Sequence, residues 1–221
     1  MARLSRITVP DLPHHVTQRG NRRQLVFVEH GDNALYRDLL AERCRANGVR
    51  CLAYCLMPNH VHLILVPTTS EGLSRAVGET HRRYSGYVNA RARVTGHVFQ
   101  GRFSSSAMDE AHFLAAVRYL AFNPVRAKLV QRPQDWPWSS ASAHIARRDD
   151  ELVTVQPLLD IAPKPQELFE MSFDEATTLF DIETKSATGR PLGEAGFIAN
   201  VERQLGYSVM PKKRGRKARD D

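Results

Sequence analysis

The sequence predicts an α+β protein, a ferredoxin-like or RRM-like sandwich with a central antiparallel sheet and helices on one face. Short apolar and β-branched runs alternate with segments of helical periodicity in the order βαββαβα. A Pro-Asn pair at 58–59 lies between two apolar runs and favours an antiparallel hairpin. With 221 residues, 42% of them hydrophobic, the chain is long enough to bury such a core.

The first three strands and the first helix follow from local signals. A strand is predicted over residues 14–19, ending at a Gly-Asn turn signal. A helix capped by Asp32 or Asn33 follows, and Gly48 ends it. Its apolar residues recur at helical spacing: Leu35, Leu39, Leu40 and Cys44. The second strand is predicted over 49–57, and the third begins at His60.

The next segments complete the predicted domain, which covers residues 8–146. A long polar helix is predicted over about 70–93 and a fourth strand over 96–103. A further helix begins at Asp109 or Glu110, and we expect it to end at Asn123, because the residue before a proline disfavours helical conformation. Beyond the domain we expect an acidic, partly helical region over 147–210 and a basic disordered tail over 211–221.

Charge is distributed unevenly along the chain. The 31 Lys and Arg exceed the 24 Asp and Glu, for a net charge of +7. Residues 1–148 carry +11, residues 149–210 carry −8 and residues 211–221 carry +4. A basic body with a basic tail indicates a polyanionic partner. Arg predominates over Lys and is the better bidentate phosphate ligand, although genome base composition would produce the same excess.

The cysteines and the hydropathy pattern indicate an intracellular protein. Cys44, Cys51 and Cys55 are odd in number and lie in or beside predicted core elements, so we expect buried thiols. A zinc site that joins Cys55 to the histidines of the next strand is the alternative. No stretch has the length of a membrane span or the pattern of a signal peptide, and the expected location is cytoplasmic, at the nucleoid.

Two histidines on one apolar strand are the main candidates for chemistry. His60 and His62 are two residues apart, so on a strand they project from the same face. Such a pair can hold a divalent metal, whereas the competing interpretation is that these are structural histidines with satisfied hydrogen bonds.

A tyrosine and an asparagine share one face of the last predicted helix. Tyr119 and Asn123 are four residues apart. Tyr119 could attack phosphorus if a metal withdrew charge from the phosphate, and Asn123 could add an oxygen ligand. Ordinary packing of an amphipathic helix would also explain this tyrosine.

Four ordered segments resemble the single-tyrosine HUH transposases, specifically those associated with repetitive extragenic palindromes (REP). The segments are MPNHVHL at 57–63, FQGRF at 99–103, RYLAFNPVRA at 118–127 and WPWSS at 136–140, and HHVTQRGN at 14–21 fits the same group. The resemblance implies that His60 and His62 are the metal pair and that Tyr119 is the nucleophile. Related insertion-sequence enzymes often place a Gln metal ligand at the position of Asn123, whose side chain is one methylene shorter.

The resemblance also implies an activity. It is that of a metal-dependent single-stranded DNA endonuclease and strand transferase acting on palindromic hairpin DNA through a 5′-phosphotyrosine intermediate. Mg²⁺ or Mn²⁺ is the expected cofactor, and single-stranded or hairpin DNA with palindromic repeats is the expected partner of a monomer or homodimer. The alternative is a non-enzymatic protein that binds palindromic or hairpin nucleic acid on the same fold.

Basic residues outside the predicted centre are expected to bind the DNA backbone. On the long helix, the competing interpretation is a solvated face with Tyr84 and Tyr87 packed inward. The Arg-Gly-Arg sequence of the tail resembles arms that enter the minor groove. The predicted nucleic-acid-binding residues are Arg19, Arg22, Arg23, Arg82, Arg83, Arg102, Lys212, Lys213, Arg214 and Arg216.

Overall fold

A computed structural model describes residues 6–170 and 188–210, which contain a four-stranded antiparallel sheet of order β2-β3-β1-β4. The strands are β1 (His14–Arg19), β2 (Val49–Met57), β3 (His60–Pro67) and β4 (Ser104–Ala107). The α-helices of the described residues are α1 (Asp32–Ala46), α2 (Gly72–Ala92), α3 (Glu110–Arg126), α4 (Ala141–Ile145), α5 (Gln156–Ile161), α6 (Pro165–Glu170) and α7 (Ala195–Leu205). The predicted α+β class with a central antiparallel sheet is confirmed.

The β2-β3 hairpin directs alternate side chains to two separate cores. Met57 pairs with His60 across the predicted Pro-Asn turn. Leu56 and Leu63 face a core shared with α1 and α2. Cys55 and Ile64 face the opposite core, which is shared with α3. The helices α1 and α2 lie on one face as predicted, but α3 covers the other face. This third layer forms because β2 and β3 are apolar on both sides, and both sides must be buried.

Two predicted boundaries are corrected by the structure. The fourth strand lies at 104–107 rather than 96–103, where Phe99 makes only an isolated bridge to Gly20. The helix α3 does not end at Asn123 but continues through Pro124 to Arg126. A proline removes one backbone donor, but here the loss falls in the last turn, where Asn123 and Pro124 are buried.

Residues 149–170 pack against the same two cores. Val153 forms a parallel bridge to Cys51 at the start of β2. A carboxylate oxygen of Asp150 accepts hydrogen bonds from the backbone amides of Leu152 and Val153, and thereby holds this segment in a turn. Phe169 of α6 packs into the α3 core. Part of the acidic region is therefore integrated with the sheet. The helix α7 lies farther along that region.

The three cysteines are buried and free, as expected. No helix within residues 6–170 and 188–210 is both long enough and apolar enough to cross a membrane.

Candidate active site

The first residues of β3 place the two histidines side by side on the face covered by α3. His60 lies opposite Arg19 of β1, and His62 lies opposite Thr17. Residues directly opposite in an antiparallel pair share a face, so Arg19 and Thr17 flank the histidines. The two imidazole centroids are 4.9 Å apart. The structure therefore brings the predicted pair together.

The helix α3 places Tyr119 directly over this pair. It begins at the N-cap Asp109, whose carboxylate accepts a hydrogen bond from the backbone amide of His112, and it packs against β2 and β3. The Tyr119 ring meets His62 edge to face, with centroids 5.2 Å apart. Asn123 lies one turn further along the helix and is buried. The predicted nucleophile and the predicted ligands thus meet in one place.

A cavity of about 260 Å³ opens at this point, and we call it the Tyr119 cavity. Its lining residues are Arg19, Met57, His60, Tyr119, Asn123, Arg126 and Ala127. The guanidinium carbon of Arg126 lies 5.5 Å from the centroid of the Tyr119 ring. With two guanidinium groups beside a tyrosine, the cavity suits an anionic group such as a phosphodiester.

Both histidines are held through their Nδ1 atoms. His60 Nδ1 donates to Oδ1 of Asn59 at 2.6 Å, and His62 Nδ1 lies 3.1 Å from Nε2 of His15. The rings of His15 and His62 are also stacked, with centroids 5.3 Å apart. Ligating histidines ordinarily use the second ring nitrogen in this way, which fixes both the tautomer and the ring orientation.

Two buried polar atoms at the centre have no hydrogen-bond partner among the described residues. They are Nε2 of His62 and Nδ2 of Asn123. Leaving a buried polar atom unpaired costs about 1–3 kcal/mol, so such atoms are uncommon unless a ligand satisfies them. The arrangement fits a bound cation and a substrate better than it fits a sealed core.

Burial keeps the central imidazoles neutral. It lowers the pKa of His62 well below its usual value, and the neighbouring His15, His60, Arg19 and Arg126 lower it further. Burial also lowers the pKa of His15 to about 4. A neutral imidazole is the form that binds a metal ion. His62, the fully buried histidine of the pair, is therefore in the metal-binding form at neutral pH.

The zinc site that the sequence allowed is not formed. Cys55 lies opposite His62 on the neighbouring strand. Within residues 6–170 and 188–210, however, no three His, Cys, Asp or Glu side chains converge in a way that could hold a metal ion. The donors at the centre are two imidazoles and an amide, an open set that leaves room for substrate oxygens.

Comparison with known proteins decides the family. The family model described as "Transposase IS200 like" matches residues 8–123, which is more than half of the chain. This chain belongs to the IS200-like transposase family. It is therefore a DNA transposase, an enzyme, and the histidine pair and Tyr119 lie within the matched region.

Two solved structures resemble this transposase, and the first of them shows the same fold. One is the structure of a REP-associated tyrosine transposase bound to a REP hairpin. It is 21% identical with a TM-score of 0.57, and the match covers 66% of this chain and 87% of that chain. Another is a transposase crystal structure from Deinococcus radiodurans R1, at 21% identity with a TM-score of 0.38, covering 51% of this chain and 90% of that one. No curated protein matches this chain.

A second cavity, of about 220 Å³, adjoins the histidines toward the β1 and β4 side of the sheet, and we call it the Gln100 cavity. It shares His60 and Arg19 with the Tyr119 cavity. Its lining residues are Thr17, Gln18, Arg19, His60, Val61, His62, Gln100, Arg102 and Ser104. Two predicted DNA-binding residues, Arg19 and Arg102, therefore lie beside the candidate active site.

The other predicted DNA-binding residues are placed differently. Arg22 and Arg23 lie in an exposed turn with positive φ values of 52° and 64°, and Asn59 Nδ2 donates to the Arg23 carbonyl. Arg82 and Arg83 lie on α2, across the sheet from Tyr119, and both pair with Glu79. The structure does not bring these last two to the site. Outside the described residues lie Lys212, Lys213, Arg214 and Arg216.

Reasoning from the sequence missed two contributors to the centre. His15 reaches His62 only because β1 pairs with β3, across 47 residues of sequence. Arg126 reaches Tyr119 only because α3 continues beyond Pro124. The available signal for Arg126 was its spacing of seven residues from Tyr119, which is two helical turns. For His15, the signal was its alternation with Thr17 and Arg19 on a strand.

Proposed function

We propose that this transposase cuts single-stranded DNA at a palindromic hairpin, forms a 5′-phosphotyrosine link through Tyr119, and rejoins the strand to another end. The observation that carries the proposal is the contact of Tyr119 with the histidine pair, in a cavity bordered by Arg19 and Arg126. A tyrosine that packs against the unprotonated imidazole of His62, in a cavity with two guanidinium groups, suits attack on a phosphodiester.

The protein residues account for the substrate side of the reaction. Arg19 and Arg126 would bind the non-bridging oxygens of the scissile phosphate. The phenolic oxygen of Tyr119 forms a bond to phosphorus as the bond from phosphorus to the 3′-oxygen breaks. The phenol loses its proton and the departing oxygen gains one, which leaves a free 3′-hydroxyl. The covalent link conserves the phosphodiester energy, so no nucleotide cofactor is required.

The same residues fit the expected cofactor. His60, His62 and the amide of Asn123 would hold Mg²⁺ or Mn²⁺, and the unpaired Nε2 of His62 supports this assignment. When bound, the ion would neutralise charge on the scissile phosphate. Since Mg²⁺ prefers an oxygen shell, Mn²⁺ should suit two imidazoles at least as well.

The proposed partner rests on charge and on the structural relative. Residues 1–148 carry +11, and the relative with a TM-score of 0.57 is bound to a REP hairpin. Because the Tyr119 side chain is buried between α3 and the sheet, the strand must be unpaired and able to bend into the cavity. A hairpin with single-stranded flanks meets both conditions.

A covalent adduct tests the proposal. We expect the full chain, given Mn²⁺ and a single-stranded palindrome from the DNA beside its gene, to form a protein–DNA adduct that resists denaturant. Tyr119→Phe should bind the same DNA but form no adduct, because only the nucleophilic oxygen is lost. Tyr84→Phe is the matched control, since this buried tyrosine faces the other core, and it should retain the adduct. Adduct formation by Tyr119→Phe would overturn the proposal.

A further inference from the structure

The two cavities meet at the position that the scissile phosphate would occupy. His60 and Arg19 line both cavities, whereas Tyr119 lines only the first and Gln100 and Arg102 line only the second. From this shared pair the Tyr119 cavity extends toward Met57 of β2, whereas the Gln100 cavity extends toward Ser104 of β4, at the other edge of the sheet. A phosphate bound between His60 and Arg19 would therefore have the tyrosine on one side and the Gln100 cavity on the other.

The stereochemistry of phosphoryl transfer then assigns a nucleotide to each side. The attacking and leaving oxygens lie roughly in line through phosphorus. If Tyr119 attacks from its own cavity, the departing 3′-oxygen lies on the opposite side. The nucleotide that carries this oxygen is the one immediately 5′ of the cut. It therefore projects toward the Gln100 cavity.

The outer wall of the Gln100 cavity is held firmly against β1. The backbone amide of Gln100 donates to the carbonyl of Arg19 at 2.8 Å. The buried side chain of Gln18 donates from Nε2 to the carbonyls of Gln100 and Gly101, at 3.3 and 3.2 Å. Three hydrogen bonds between β1 and the loop thus fix the segment that contains Gln100 and Arg102. A recognition surface benefits from this rigidity, because it orders few groups on binding.

The lining of the cavity matches the edge of an unpaired base. Its side chains offer a guanidinium from Arg102, an amide from Gln100, and hydroxyls from Thr17 and Ser104. Arg and Gln are the side chains that read guanine and adenine through paired hydrogen bonds, and hydroxyls contact any base. A volume of about 220 Å³ greatly exceeds the share of a single water, about 30 Å³.

We propose that the Gln100 cavity binds the nucleotide immediately 5′ of the cut and that Gln100 and Arg102 select its base. This inference rests on the proposed 5′-phosphotyrosine chemistry of Tyr119. The protein itself, and not the hairpin alone, would then select the base of the nucleotide whose 3′-hydroxyl is released.

Substrate panels test the assignment. Two panels of four single-stranded hairpin substrates, eight reactions in all with the parent in both panels, would carry each base immediately 5′ of the cut or, separately, immediately 3′ of it. Adduct formation by the full chain with Mn²⁺ gives an apparent rate constant for each substrate. For the wild type we expect at least about tenfold discrimination at the 5′ position, in the range of one bidentate base contact. Gln100→Ala and Arg102→Ala should each reduce that discrimination severalfold without altering the preference at the 3′ position.

Control variants and outcomes separate the two proposals. Gln100 and Arg102 are exposed, so folding should not depend on them. Arg82→Ala removes an exposed arginine from the opposite face of the sheet and should leave both preferences unchanged. An altered 3′ preference, an equal loss of rate in all eight reactions, or a wild type indifferent to the 5′ base would overturn the assignment. Absence of any adduct from the wild type would instead overturn the proposed function on which it rests.

Discussion

The two faces of the sheet use the same residue types for different purposes. On the α1 and α2 face, the hydroxyl of Tyr36 lies 2.9 Å from Nε2 of His81, and the hydroxyl of Tyr84 donates to the carbonyl of Val26. On the α3 face, Tyr119 lies against His62, whose Nε2 has no hydrogen-bond partner among the described residues. The tyrosine hydroxyls of the first face are paired within the protein, whereas the central histidine of the second face keeps one ring nitrogen for a ligand.

Neither burial nor a shifted pKa therefore distinguishes a functional histidine from a structural one. Burial lowers the pKa of His81 to about 3, and it lowers the pKa of His15 to about 4. Both shifts arise mainly from loss of solvent, and structural groups undergo this loss as readily as functional ones. What separates His81 from His62 is that Nε2 of His81 is paired with the Tyr36 hydroxyl, whereas Nε2 of His62 has no partner among the described residues.

The largest expected effect comes from removing a histidine on each face in turn. His62→Ala or His60→Ala should reduce adduct formation at least about a hundredfold while leaving hairpin affinity nearly intact, since affinity depends on arginine contacts to phosphate. EDTA should have the same effect on the wild type. His81→Ala should instead lower the free energy of unfolding by about 2–4 kcal/mol and leave the rate per folded molecule unchanged. Adduct yield and urea denaturation measure the two effects. Full activity of either histidine variant of the pair would refute the metal assignment.

A smaller effect is expected at His15, which contacts the centre through His62. His15→Phe keeps an aromatic ring against His62 but removes the nitrogen at 3.1 Å. Loss of such a supporting contact typically weakens metal affinity 10–100-fold. The measurement is Mn²⁺ binding without DNA, followed by electron paramagnetic resonance. His81→Phe is the matched control on the opposite face and should not change Mn²⁺ affinity. An unchanged Mn²⁺ affinity in His15→Phe would show that His15 only packs against His62.

His81, on the α1 and α2 face, should contribute to the acid sensitivity of the fold. Burial, and secondarily Arg6, lowers the pKa of His81 to about 3 from an ordinary value of 6.5. Below pH 6.5 the unfolded state therefore binds a proton that the folded state does not. Stability attributable to His81 is complete above pH 6.5 and falls as the pH drops toward 3, by at most about 1.4 kcal/mol per pH unit. Urea denaturation across this window should show a shallower pH dependence in His81→Phe. Identical slopes would mean that His81 is protonated in the folded state.

The smallest expected effect is on the salt dependence of DNA affinity, which should differ between arginines beside the site and arginines on α2. Arg22→Gln with Arg23→Gln removes two charges next to the hairpin turn that contains Asn59. We expect the slope of log affinity against log salt to become shallower by up to about 0.7 for each lost contact to a single strand. Arg82→Gln with Arg83→Gln removes two charges that pair with Glu79, and it should leave the slope unchanged. The reverse result would place the DNA across α2.

The bounds of β1 and β2, which local sequence patterns predict, agree with the structure. The bounds of β4, which depend on pairing with a distant segment, do not. The bounds of β1 and β2 match the prediction because alternation, turn residues and the Pro-Asn hairpin act within a few residues. The segment Ser104–Ala107 reads SSSA and has no apolar pattern, so its strand conformation comes from hydrogen bonds to β1. The predicted strand at 96–103 instead contains Gly101, with a positive φ of 53°, and Phe99, which packs into the aromatic core.

The sequence by itself determined the residue types of the centre and their local spacing: two histidines on one strand face, and a tyrosine with an amide one helical turn apart. Only the tertiary structure decided which tyrosine meets the histidines, because that depends on the face of the sheet that each helix covers. It also decided that His15 and Arg126 join them, through the register of β1 against β3 and the continuation of α3 past Pro124. Contacts between distant segments follow from the packing of whole elements, and no window of sequence contains that information.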